Sequence, residues 1–179
     1  MSEYYAKKAT ELVEQINRGV MFDNITPIPL CNSLVNLDVF KINIAKDTYN
    51  TRLYLLEKDT MSAVDIIKKE NKNANVCILN FSDYKVPCGL FRKGDVAQEE
   101  SICHATNLYN ELFHNYSWYT VHEKTVNHGM YQDESILSEN ITIMRKNYED
   151  IQSETVTVDV LTCAAPNKSP IIRYKKYLC

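Results

Sequence analysis

The chain has 179 residues, a net charge of -3 at pH 7, 45% hydrophobic and 24% charged residues. This size and balance fit one domain with its own core, and the slight acidity argues against general nucleic-acid binding, which draws on a basic surplus. No apolar run approaches the ~20 residues of a membrane span, and the charged start Met1-Ser2-Glu3-Tyr4-Tyr5-Ala6-Lys7-Lys8 has no signal core, so an intracellular protein, cytoplasmic or nuclear, is expected.

Residues 3 to 18 read as an amphipathic helix, with Ala6, Ala9, Leu12, Val13 and Ile16 at helical spacing and Gly19 as its stop. Residues 20 to 50 look irregular, with Pro27 and Pro29. Arg52 to Glu57 alternates briefly and suggests a strand. Asp59 or Thr60 suits the cap of a second helix, with Ala63, Ile66 and Ile67 facing inward. The continuous apolar run Asn75 to Phe81 fits a central strand buried on both sides. A loop follows to about Val96, and Ala97 to about His114 reads as one long helix, with Ile102, Leu108, Leu112 and Phe113 on its apolar face. Ile141 to Met144 and Thr155 to Cys163 look like later strands. Strands alternating with helices predict an α/β fold with a mixed or parallel sheet. No linker divides the chain, so a single domain over 1–179 is expected, with an N-terminal segment to about 50 and a core from about 51.

The six cysteines, at 31, 77, 88, 103, 163 and 179, form no CxxC pair, so neither a zinc site nor a disulfide framework is expected. Cys77 and Cys163 lie in apolar runs and read as buried reduced thiols. His122-Glu123 and His128 fall in an expected loop, and no metal or cofactor is expected. Tyr116, Trp118 and Tyr119 form a cluster that suits core packing or the wall of an adenine pocket. His104, one turn after Glu100, reads as a polar residue on the helix surface. Arg92 and Lys93 lie in the loop, solvated or available to a phosphate.

The informative stretch runs from Leu79 to Glu100: a strand, a loop, then a helix opening on Gln98-Glu99-Glu100. Ligands of open α/β sheets sit at the carboxyl ends of strands, and a helix start supplies free amides and partial positive charge for an anion. Acids in a first helical turn are also simply favoured by the dipole. The wider pattern adds to this. Leu79-Asn80-Phe81, then Lys85, Pro87, Gly89, Gly94 and Ala97-Gln98-Glu99-Glu100 match without a gap the strand, glycine-rich loop and helix start of the microbial poly(ADP-ribose) glycohydrolases. Leu108-Tyr109, Met130-Tyr131-Gln132-Asp133, Ile143-Met144-Arg145 and Ala165-Pro166-Asn167 are similar to later family segments, in the same order. The resemblance covers roughly residues 52 to 168.

This resemblance implies a macrodomain-like three-layer α/β/α fold with a mixed sheet, incomplete on its C-terminal side. It implies hydrolysis of ADP-ribose glycosidic linkages through an oxocarbenium-like state. Glu100 would be the general acid and Glu99 would hold ribose hydroxyls. Gln98, Gly89, Cys88, Pro87, Phe91, Gly94 and Asn80 would contribute to ligand binding. The partner implied is ADP-ribose or an ADP-ribosylated protein.

The sequence departs from the family in three places. Val86, Cys88 and Leu90 stand where the family has Asn and two glycines, and Leu90 would resist a positive φ. No second glycine-rich loop follows Gly129. An open sheet edge is therefore expected, covered by another copy of the chain, a partner or a rearranged terminus. The alternatives implied are a catalytically inactive ADP-ribose- or nucleotide-binding module and a scaffold protein.

Overall fold

A computed structural model of the protein describes residues 2–18, 33–36, 52–124, 129, 131, 134–145 and 151–167. The first helix, α1, spans Ser2–Arg18 and buries Ala9, Leu12 and Val13, the stripe its periodicity predicts. A short strand, β1 (Ser33–Asn36), comes next. Helix α2 (Thr60–Glu70) is capped by Asp59, whose carboxylate accepts from Ser62 N at 2.9 Å. Its most buried residue is Val64, while Ala63 and Ile66 are half-buried and Ile67 is exposed. Strand β2 spans Cys77–Ser82.

The expected long helix is two helices, α3 (Gln98–Ala105) and α4 (Leu108–His114), and a further helix, α5 (Tyr116–Lys124), follows. The first break has a clear cause. Thr106 turns extended, its hydroxyl donating to Ile102 O at 2.8 Å. Asn107 N then donates to Thr142 O at 3.2 Å, and Thr142 N donates to the Asn107 side chain at 2.9 Å. The helix ends because Asn107 hydrogen-bonds to a strand in both directions. That strand is β3 (Glu134–Arg145), followed by β4 (Ile151–Ala164). Both are longer than the apolar runs that announced them.

The four strands lie in the order β1-β3-β4-β2. β3 runs antiparallel to β1 and β4, and β2 runs parallel to β4, so the sheet is mixed as expected. The β3–β4 register shifts between Ser138 and Ile141, where Asn140 takes φ 55° and its N–H donates to the Asp159 carboxylate at 2.9 Å. The core gathers Leu12, Val64, Ile78, Phe91, Ile102 and Leu108 with Met144 and Val160 from the sheet.

Several expectations are corrected. Arg52 to Glu57 is not a strand: no described strand pairs with it, and Leu53 and Leu55 are 98% and 95% exposed. β2 is buried on one face only, with Ile78, Asn80 and Ser82 in and Cys77, Leu79 and Phe81 out. Among the described strands it also lies at the sheet edge. Cys77 is accordingly exposed and Cys163 half-buried, although both are free thiols. His122 and Glu123 lie on α5 rather than in a loop. Gly19, residues 20–32 and 37–50, and His128 fall outside the described residues. No helix among the described residues is long and apolar enough to cross a membrane.

Candidate functional site

Glu99 and Glu100 open α3 at the carboxyl end of β2, and both are buried, at 3% and 7% exposure. Burying a carboxylate is costly unless donors surround it. Glu99 has three. Asn80 Nδ2 and Ser82 Oγ donate to Oε1 at 3.3 and 3.0 Å, and Asp83 N donates to Oε2 at 2.7 Å. All three donors come from the end of β2. Burial still dominates and pushes the Glu99 carboxyl up to about 7, with the neighbouring Glu100 carboxylate adding to the rise. Behind Ser82 stands the Tyr119 hydroxyl, 3.4 Å from Ser82 Oγ.

Glu100 faces the loop instead. Its Oε1 accepts from Leu90 N at 3.0 Å, and Oε2 has no hydrogen-bond partner among the described residues. The loop reaches the carboxylates because of two left-handed residues in sequence, Cys88 at φ 57° and Gly89 at φ 53°. Leu90 keeps φ -96°, so the departure from glycine there brings no backbone conflict. The strained position is Cys88, and a disulfide to Cys103 on α3 holds it. No disulfide was expected from the cysteine spacing, and this bond corrects that expectation. Two cysteines 15 residues apart on a loop and a helix match none of the short spacings that announce a bridge.

Asp83 shapes the start of the loop, its Oδ1 accepting from Lys85 N at 2.6 Å and Val86 N at 3.0 Å. Pro87 is buried beside Cys88 in sequence. Asn80 is fully buried, and besides Glu99 it donates to Thr162 Oγ1 at 3.2 Å.

The structure thus brings Asn80, Glu99, Glu100, Cys88 and Gly89 together. The other candidates are engaged elsewhere. Gln98 Nε2 donates to Leu79 O at 2.7 Å, and Phe81 N donates to Gln98 Oε1 at 3.0 Å. Val76 O accepts from Asp159 N on the β4 side, so Leu79 and Phe81 turn their backbone groups to the opposite edge. The Gln98 amide stands there as a neighbouring strand would. Phe91 is fully buried, edge-on to His104 at 4.7 Å. Gly94 lies against α1, where a Cβ would meet the Ser2 carbonyl and Ala6 N. His104 is not on the surface: it is 1% exposed, a ring nitrogen lies 3.1 Å from Asp95 O, and burial holds its pKa below the ordinary histidine value. Trp118 and Tyr119 are core residues, whereas Tyr116 is exposed. Arg92 and Lys93 are exposed, on a 3-10 turn whose first residue is the buried Phe91.

Sequence reasoning missed Ser82, Asp83 and Cys103 at the site, and it read Tyr119 only as core packing or an adenine-pocket wall. The end of β2 supplies the first two, so the parity of buried residues along that strand could have indicated Ser82. The others require the fold.

A mixed α/β sheet with an acid pair at a helix start, under a left-handed loop at a strand end, places the chain in the macrodomain-like class. Its overall similarity to solved structures agrees. A poly(ADP-ribose) glycohydrolase from Thermomonospora curvata matches with a TM-score of 0.79 and 25% identity over 94% of this chain and 66% of that one. The same enzyme bound to the inhibitor ADP-HPD gives 0.79 and 24%, over 94% and 65%. The enzyme from Deinococcus radiodurans in complex with ADP-ribose gives 0.57 and 27%, over 66% and 47%. The chain therefore spans slightly less than two thirds of the length of the Thermomonospora enzyme. No curated protein matches it. The family model described as microbial-type PARG, catalytic domain, matches residues 3–146. The chain belongs to the microbial-type PARG (poly(ADP-ribose) glycohydrolase) catalytic domain family.

Proposed function

We propose that the chain binds an ADP-ribose unit at the carboxyl end of β2 and cleaves the glycosidic linkage that joins its ribose to the group it is attached to, with Glu100 as general acid. The observation that carries this reading is the asymmetry of the acid pair. Glu99 is anchored by three donors, whereas Glu100 is held by one oxygen only and keeps Oε2 for a ligand. A carboxylate accepts about four hydrogen bonds, so Glu99 retains room for one ribose hydroxyl. A protonated Glu100 would give its proton to the departing ribosyl oxygen as the anomeric bond breaks, and water would complete the hydrolysis. The fixed Leu90 amide orients the Glu100 carboxyl without occupying its outer oxygen. The titratable neighbour Glu99, itself near neutrality, limits the negative charge in the pocket.

A second reading, ADP-ribose binding without turnover, draws support from Leu90, whose side chain, 47% exposed, stands on the loop that reaches the carboxylates. One experiment separates the two. The purified chain is titrated calorimetrically with ADP-ribose, then given ADP-ribosylated protein and assayed for released ADP-ribose. Release that falls ~10²–10⁴-fold in Glu100→Gln, the usual range for losing a general acid, with ADP-ribose affinity kept, supports the hydrolase. Binding with no release supports the module. A well-folded chain that does not bind ADP-ribose refutes both.

A further inference from the structure

We propose that Cys88 and Cys103 are positioning residues whose disulfide holds the ligand loop on the glutamate pair, so that the site's affinity depends on their oxidation state. For the ligand's identity this rests on the reading above; for the loop it rests on geometry alone. The bond joins the loop to the helix that carries the acids, with the two Cα atoms 6.2 Å apart. Cys103 lies three residues beyond Glu100, one helical turn along α3, so bond and carboxylate share a face. Cys88 occupies φ 57°, a conformation that a residue with a Cβ adopts reluctantly. Gly89 follows at φ 53°, and Leu90 N then reaches Glu100 Oε1 at 3.0 Å. The strained residue is therefore tethered two positions before the amide that orients the acid.

Disulfides are unusual in reducing compartments, where they serve redox chemistry more often than architecture. Both sulfur-bearing residues are fully buried here, whereas the loop beside them is open at Leu90. Reduction by a dithiol balances simply. A thiolate of the reductant attacks one sulfur and forms a mixed disulfide, and its second thiol closes the reductant's own disulfide. Cys88 and Cys103 leave as two thiols, having gained two electrons and two protons. Without the bond, Cys88 relaxes toward negative φ and carries Gly89 and Leu90 away from Glu100.

The test compares the oxidised chain with the same chain after dithiothreitol, the bond's state confirmed by alkylation and mass mapping of Cys88 and Cys103. Calorimetric ADP-ribose affinity is expected to fall at least ~10-fold on reduction, and equal affinity overturns the proposal. Cys88→Ala/Cys103→Ala is expected to bind like the reduced chain and to ignore dithiothreitol. Cys88→Gly/Cys103→Ala is expected to recover affinity over that variant, because glycine takes the left-handed conformation freely; no recovery counts against positioning through the backbone at 88. Hydrogen exchange reads the loop without any ligand. The Leu90 amide is expected to lose protection on reduction while α1 amides keep theirs. Unchanged Leu90 exchange overturns the latch. Faster Leu90 exchange in a chain that binds no ADP-ribose supports the latch on the loop and refutes the ligand reading instead.

Discussion

A Cβ on Gly89 would occupy the place taken by the Glu100 carboxylate. It would overlap Oε1, lie 3.2 Å from Cδ, and come within 3.4 Å of Glu99 Oε2. The missing side chain at 89 and the burial of the acid at 100 are one packing solution.

Gly89→Ala is therefore expected to push Glu100 off the Leu90 amide and to hold a Cβ at φ 53°. The backbone cost alone is about 1–2 kcal/mol. ADP-ribose affinity should fall at least 10-fold, a loss of about 1.4 kcal/mol. Calorimetry on protein shown to be folded by circular dichroism checks this. Unchanged affinity would mean that the loop yields and that the close approach has no bearing on binding.

Glu99 gives the chain a pH-dependent cost. Its folded pKa is raised to about 7 from an ordinary value of 4.5, so the folded state holds a proton that the unfolded state has released between those values. Stability from this group is therefore present at low pH, falls as pH rises through that window, and levels off above it. The shift corresponds to roughly 3 kcal/mol at 1.36 kcal/mol per pKa unit. Urea unfolding at pH 5 and pH 8 should show the wild type losing more stability over this interval than Glu99→Gln. The variant should also replace one of the two acceptor oxygens that face Asn80, Ser82 and Asp83 N by a donor, and be less stable at pH 5. Equal pH slopes in the two chains would refute the assignment.

Gly94 predicts a purely structural defect. Alanine there would drive a Cβ into Ser2 O and within 2.7 Å of Ala6 N, at φ 85°. Backbone atoms of a helix cannot turn aside as a side chain can. Gly94→Ala should cost about 1–3 kcal/mol, the usual range for overpacking, and lower the melting temperature, while ADP-ribose binding per folded molecule changes less than in Gly89→Ala. A variant that melts like the wild type would show that α1 shifts freely.

Much of this was legible in the sequence, and the limits have physical causes. Asp59 capped α2, and the α1 stripe faced inward, because both depend on neighbours within a turn. The length of α3 could not be read locally: Ala97 to His114 carries helical spacing throughout, and only the bonds of Asn107 to Thr142 on a strand 35 residues away end it early. Burial of β2 failed for a similar reason, since an apolar run does not say whether both faces meet protein. At the site, Glu99 and Glu100 were named with a role each, but the roles of Gln98 and Gly94 as packing and hydrogen-bonding residues required coordinates. The Cys88–Cys103 bond joins a loop to a helix, and no spacing rule covers that case.

Gln98, Glu99 and Glu100 reach three different destinations: the open edge of β2, the end of the same strand, and the loop over it. Successive residues of an α-helix point about 100° apart, so three adjacent positions fan across a little more than half a circle. The triplet works as a key with three teeth, cut for one rotational phase of α3. Deleting or inserting a single residue inside it would turn the following teeth by that same angle, so that an acid met its neighbour's destination instead of its own. The contiguity of these three residues is thus a requirement of helix phase, and the length changes that surface loops absorb have no counterpart at this point in the chain.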